Sequence, residues 1–319
     1  MKKRGVGYGA FFYGTGYGNG FPDESRAVVE ITPLGIFNLY VGVSDVGSGG
    51  LSVMHQIAQE TLKADKELIN IIWNDTSLVL DTGTAAASRQ TYNTGNAVRI
   101  ACEKLRDQIN LLIGDKLITT KEDVNEIYSL FVDKNLETRF EGYFKATTSQ
   151  VNLETGQGNP YWPYTFGIEK AVVEVDTETG KVDVIEIVAA YDAGKIVNPV
   201  LAEGQIIGGA AMGIGYAIME EVIVNKGSIK NRNFSDYIIP TSMDMPKVTT
   251  YFVEKYEPTG PYGAKGLGEP AMLPTAPAIL NAIYDAVGVR LTEFPATCER
   301  VLAAIKEKEQ RDQEKRDNI

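Results

Sequence analysis

The chain has 319 residues, 42 acidic against 31 basic, a formal net charge of −11 and 44% hydrophobic residues. That length allows two subdomains with a substantial core, and the acidic balance excludes a nucleic-acid surface, which needs a basic stripe. No apolar run approaches the ~20 residues of a membrane span, and the opening Met-Lys-Lys-Arg-Gly lacks the apolar segment of a signal peptide, so the expected location is cytoplasmic. His55 is the only histidine, and Cys102 and Cys298 are the only cysteines. Zinc sites, histidine-based triads and iron–sulfur ligation by this chain alone are thereby set aside. Any metal must arrive with a cofactor or sit among oxygen ligands.

Residues 5–20, GVGYGAFFYGTGYGNG, alternate glycine with aromatic and small residues, which suits a strand entering a glycine-rich loop. A hairpin is expected over 26–43, turning at Pro33 and Gly35. After Ser44-Asp45-Val46-Gly47-Ser48-Gly49-Gly50 a helix follows, with Leu51, Met54, Ala58 and Leu62 on one side. A β-rich piece (68–73) and a polar loop (74–90) lead into a helix over 93–113, where Val98, Cys102, Leu105, Ile109 and Leu112 keep helical spacing. A capping box at Thr119-Thr120-Lys121-Glu122 opens another helix.

The segment 148–163, rich in Gly, Pro and Asn, is the best boundary, dividing the chain into subdomains 1–150 and 151–319. Beyond it a second hairpin (171–190) turns at Thr179-Gly180, ends in Asp192-Ala193-Gly194 and leads into a helix over 199–219. The expected class is α+β: two similar α/β subdomains, an internal repeat, sharing one cofactor cleft. The charged tail 306–319 reads as a solvated helix end.

Residues 262–274, YGAKGLGEPAMLP, place one carboxylate, Glu269, after Gly263, Gly266 and Gly268 and before Pro270. A helix is expected from there, capped by Thr275 and ended by Gly288. A lone acid on a glycine loop leading into a packed helix suits a positioned general base; a tight turn with a solvated Glu is the plainer alternative. Small-residue loops at 47–50, 82–90, 204–215 and 263–269 offer backbone N–H groups to a large anionic ligand. None is a Walker A loop or a dinucleotide fingerprint.

Gly266-Leu-Gly-Glu-Pro270, Asp192-Ala-Gly-Lys-Ile-Val-Asn-Pro199 with Glu203-Gly-Gln205, Ala87-Ser-Arg-Gln90 and Asn233-Phe-Ser-Asp-Tyr237 resemble the molybdenum hydroxylases. That is the xanthine dehydrogenase and aldehyde oxidoreductase family, and the likeness is to the second half of its molybdenum-cofactor region. It implies hydroxylation of an electron-poor carbon with water-derived oxygen, Glu269 acting as base. By the same resemblance Gly47, Ser48, Gly49, Gly50, Thr84, Ala85, Ala86, Ser88, Arg89, Gln90 and Gln205 hold the cofactor. Lys265, Gly266 and Gly268, flanking the base, are expected to bind the cofactor as well, with an ordinary loop lysine as the alternative for Lys265. No side chain is expected to ligate molybdenum, which the pterin holds. Tyr13 is the candidate substrate ligand, with core packing as its alternative.

Two departures stand out: Ser48 and Met212 occupy positions where the family commonly has Gln. An Ala-Phe-Arg-Gly loop, expected earlier in family large subunits, is missing from this sequence. This points to a fragment or to a separate partner chain carrying the first half, as in the nicotinate dehydrogenases with their divided molybdopterin portion. The resemblance further implies the molybdopterin cytosine dinucleotide cofactor, partner subunits with iron–sulfur clusters and FAD, an NAD(P) acceptor and an aromatic N-heterocycle such as nicotinate as substrate. Purine or aldehyde oxidation and a non-catalytic cofactor scaffold are the alternatives.

Overall fold

A computed structural model describes residues 1–18 and 21–317. Asn19 and Gly20 of the expected glycine loop, and Asn318 and Ile319 of the charged tail, lie outside the described residues.

Two antiparallel hairpins frame the molecule. In the first, β2 (Glu24–Ile31) pairs with β3 (Phe37–Tyr40) around a turn closed by the Thr32 N–H on Ile36 O at 3.1 Å. Ala27, Val29, Ile31, Phe37 and Leu39 are buried and share one core. The helices α1 (Gly50–Leu62) and α2 (Gly95–Ile113) contribute Met54, Ala58, Leu62, Val98, Cys102 and Leu105 to it. The strand β4 (Ile69–Ile72) lies parallel to β3, and α3 (Lys121–Asp133) precedes β5 (Arg139–Lys145), antiparallel to β2. The sheet order is β4-β3-β2-β5. The capping box of α3 is shifted by one residue from its expected place. Thr120 is the N-cap and Asp123 returns the bond, because Asp123 rather than Glu122 stands at the third helical position.

The second hairpin joins β6 (Tyr164–Asp176) to β7 (Val182–Asp192), and α4 (Pro199–Ile218) follows. A small ribbon of β8 (Val224–Asn225) and β9 (Ser228–Ile229) precedes β10 (Lys247–Phe252), which runs parallel to β7. The fourth strand of this sheet is β1 (Lys2–Gly14), antiparallel to β6, giving the order β1-β6-β7-β10. The N-terminal strand, expected in the subdomain 1–150, therefore lies in the sheet of the second unit.

Its glycines explain the placement. The helix α5 (Thr275–Val287) packs directly on β1, and a methyl group at Gly7 would run into the Ala278 carbonyl and the Ala282 amide. Glycine at alternate positions of β1 makes a flat seat for a helix. Gly142 gives β5 the same close approach to α2. The second core is built from Ala171, Val173, Val175, Ile187, Ile214, Ile279 and Ile283, and α6 (Cys298–Asp317) adds Val301 and Ile305. No described helix is long and apolar enough to cross a membrane.

Candidate active-site cleft

A cavity of about 490 Å³ opens where loops from both units meet. Its walls are residues 46–50 after β3, residues 85–91 before α2, the first half of α4 and residues 264–272. Among the described residues, Glu269 is the only acidic side chain that lines it. It opens a single helical turn, 269–272, and Pro270 at the second position suits that start.

The carboxylate is fixed by donors from separate segments. The Ala87 N–H donates to Oε1 at 2.8 Å, and the Tyr13 hydroxyl donates to Oε2. The Glu269 N–H donates in turn to Ser88 Oγ at 2.9 Å. Ala87 and Ser88 both adopt left-handed backbone, with φ 55° and 52°. Such residues cost about 1–3 kcal/mol each and persist where surrounding contacts impose them. Here the geometry aims the Ala87 amide at the Glu269 carboxylate and sets the Ser88 hydroxyl to accept from the Glu269 backbone N–H. Gly266 permits this, since any side chain there would strike the Ser88 carbonyl.

The Tyr13 hydroxyl is engaged by Glu269, and Tyr13 is not among the residues that line the cavity. Burial, followed by the hydrogen bond and the charge of Glu269, pushes the phenol pKa well above its ordinary value, so it stays a donor. Its neighbour Phe11 packs on Tyr191, with ring centroids 5.2 Å apart, while Phe12 on the opposite face is 70% exposed.

Arg89 lines the cavity, with its guanidinium turned toward partners within the protein. Its side chain is fully buried, with Nε on Asp23 Oδ1 at 2.7 Å, Nη1 on Thr82 O at 2.5 Å and Nη2 on Glu24 O at 2.6 Å. The Tyr17 ring lies 4.9 Å from the guanidinium carbon. The guanidinium thus braces the 82–90 loop from behind. Thr84 belongs to the same brace: its amide donates to the Tyr17 hydroxyl at 2.9 Å, and Thr84 is not a lining residue.

The amides of Gly47 and Gly49 donate to Asp45 Oδ1 at 3.0 and 3.1 Å, and the Leu51 amide to Oδ2 at 3.2 Å. Asp45 therefore takes up donors expected for the cofactor, leaving Ser48 and Gly50 to line the cavity. Lys265 lines it too, but its ammonium is paired with Asp192 Oδ2 at 2.8 Å and the residue is 7% exposed. It ties the Glu269 loop to the end of β7. Ala85, Ala86, Ser88, Gln90, Gln205 and Gly268 all face the cavity, whereas Gly266 is packed behind it. Thr275 does not cap α5; Pro274 holds that position, and the Thr275 hydroxyl goes to Glu169.

Asp23 and Glu169 were not singled out by the sequence. Each has partners far away in the chain, so no local pattern marks them. Asp45 sits in a recognisable Asp-x-Gly segment, and that spacing is the usual signal of a carboxylate capping its own turn.

Residues 1–246 match the family described as the molybdopterin cofactor-binding domain, which sets the class. The chain is 32% identical over 318 residues to the putative xanthine dehydrogenase molybdenum-binding subunit XdhA of Escherichia coli K12, covering 94% of this chain and 42% of that protein. Among solved structures, the aldehyde oxidoreductase of Desulfovibrio gigas superposes with a TM-score of 0.85 at 31% identity, covering 96% of this chain and 33% of that one. Quinoline 2-oxidoreductase of Pseudomonas putida 86 gives 0.81 at 26% identity, covering 96% and 42%. The chain belongs to the molybdenum hydroxylase family, and it spans under half the length of these relatives.

The cleft fits such a cofactor. Gly208 lines it, and a methyl group added at Gly208 would meet nothing within 4 Å, so the α4 backbone lies bare toward the space. Hydroxyl and amide groups of Ser48, Ser88, Gln90, Thr91, Asn198 and Gln205 supply neutral polar partners around it.

Proposed function

We propose that this chain forms the second half of the molybdenum-cofactor region of a hydroxylase and supplies its general base, Glu269. The observation that carries the proposal is the carboxylate itself: it lines the cleft and is held by donors from separate segments of the chain. Ser48, Gly50, Ala85, Ala86, Gln90, Gln205 and Gly208 would hold the cofactor, which we expect to be the molybdopterin cytosine dinucleotide. When bound, it supplies the two-electron redox change and the water-derived oxygen. Glu269 accepts the proton released as that oxygen becomes nucleophilic, a role worth roughly 10²–10⁴-fold in rate. Ala87 and Tyr13 keep the carboxylate oriented, which lowers the reorganisation needed at the moment of transfer.

In this proposal the two units are copies of one plan sharing the cleft. A separate chain supplies the first half of the cofactor region, and subunits with iron–sulfur clusters and FAD carry electrons to NAD(P). The substrate is an electron-poor aromatic N-heterocycle, with nicotinate hydroxylated beside its ring nitrogen. The similarity to quinoline 2-oxidoreductase supports the heterocycle. The similarity to XdhA favours a purine as the second reading.

The test is co-purification of this chain with its partners, followed by metal analysis, acid release of the nucleotide and assays on nicotinate, xanthine and an aldehyde in ¹⁸O-labelled water. Stoichiometric molybdenum, released CMP and labelled hydroxynicotinate are expected. An active, fully loaded isolated chain would refute the need for partners, and a complex without molybdenum would refute the cofactor assignment.

A further inference from the structure

Behind the Glu269 turn lies a buried carboxyl that the cleft does not use. Glu169 on β6 is wholly buried, as are Tyr191, Ala271 and Thr275 around it. Thr275 Oγ1 lies 2.7 Å from Glu169 Oε2, and the Tyr191 hydroxyl lies 2.9 Å from Oε1. The same Tyr191 hydroxyl lies 3.0 Å from the carbonyl oxygen of Ala271, in the helical turn that begins with Glu269.

These three contacts need three protons for full satisfaction. Thr275 and Tyr191 bring one each. With Glu169 ionised, Tyr191 must divide its proton between two acceptors, and a buried charge remains without a cation. The groups facing Glu169 include Gly9 of β1, Ala189 of β7, Tyr191 and Thr275. No basic side chain pairs with it among the described residues. A third proton on Oε1 completes the set: Glu169 donates to Tyr191, Tyr191 to Ala271 and Thr275 to Glu169.

We infer that Glu169 is a neutral carboxylic acid in the folded chain and a positioning residue, its proton securing the turn that presents Glu269. Burial pushes its carboxyl above the ordinary glutamate value, and the Thr275 and Tyr191 hydrogen bonds pull only part of the way back. An acid whose pKa is raised on folding stabilises the folded chain fully below the unfolded value. That contribution is lost as pH rises through the folded value. Above it, Tyr191 is drawn to the carboxylate and releases Ala271. Only the link to catalysis rests on Glu269 being the base; the protonation and the anchoring do not.

Glu169→Gln reproduces the neutral acid, with an amide N–H in place of the O–H, whereas Glu169→Ala removes both partners. Melting temperature and isotope-edited infrared spectra of the full-length chain read the difference without turnover. At about pH 4, below the ordinary glutamate value, the Gln variant should melt with the wild type, and by about pH 8 it should melt higher, because only the wild type titrates. The Ala variant should melt lower at both. The wild type at low pH should show a protonated-carboxyl stretch that Glu169→Gln lacks. A Gln variant that melts below the wild type at both pH values, with no such stretch in the wild type, would overturn the inference. If the Ala variant does not fold, the Gln comparison and the spectrum decide alone. Failure of Glu269 as base would leave these readouts unchanged.

Discussion

The two four-stranded sheets share one layout: an antiparallel hairpin in the middle, a parallel strand after a helix on one edge, and an antiparallel strand on the other. The loops they hold at the cleft are stabilised in different ways. In the first unit a buried ion pair, Arg89 with Asp23, and a carboxylate cap, Asp45, engage Arg89, Gly47 and Gly49, three of the donors the sequence offered to a ligand. In the second unit the Glu269 turn is secured from behind by neutral hydroxyls and one buried acid, and from the side by Lys265 with Asp192. One layout thus supports two kinds of wall. The first is a self-braced loop that presents small residues and backbone, and the second presents a single acidic side chain.

The largest stability effect should come from the brace. Arg89→Met leaves Asp23 buried without its cation, held by Asn93 and the Tyr17 amide, and removing one partner of such a pair costs about 3–5 kcal/mol. Chemical denaturation should show it, and a loss under about 1 kcal/mol would mean the loop is held by packing instead. Lys265→Met removes the cation from Asp192 at the edge of the cleft, where Asp192 retains the Gly194 amide. A smaller loss, about 1.5–3 kcal/mol, is expected by the same measurement. No loss would place Lys265 with the ligand and not with the fold.

Tyr13→Phe removes one hydrogen bond to Glu269. We expect kcat to fall about tenfold with KM for substrate unchanged, equivalent to about 1.4 kcal/mol. A raised KM with normal kcat would return Tyr13 to the role of substrate ligand. The smallest effect is the control: Arg26 and Glu141 pair on the first sheet at 45% exposure each. Glu141→Ala should change stability by less than about 0.5 kcal/mol and leave turnover alone.

Much of the frame was legible. Alternating apolar residues with Pro33–Gly35 and Thr179-Gly180 marked both hairpins, and helical spacing marked α1, α2 and α5, because those signals are local. The strands β5 and β10 went unread, being short and mixed in polarity, with each finding its neighbour across intervening helices. The pairing of β1 was hidden for a related reason: Phe12 lies opposite Phe166, far along the chain, and nothing near β1 names that partner. At the cleft, the motif around Glu269 exposed the acid. The fates of Arg89, Gly47 and Gly49 depended on which acceptors folding brings to them, and spacing does not encode that.

The central claim is that Glu269 is the base at a molybdenum site, and Glu269→Gln in the purified, metal-loaded complex tests it most directly. The substitution keeps shape and hydrogen-bond reach while removing the proton acceptor. With molybdenum and nucleotide content equal to wild type, turnover should fall by at least ~10²-fold. A fully loaded Gln variant turning over at a near-normal rate would contradict the account and move the base to another chain.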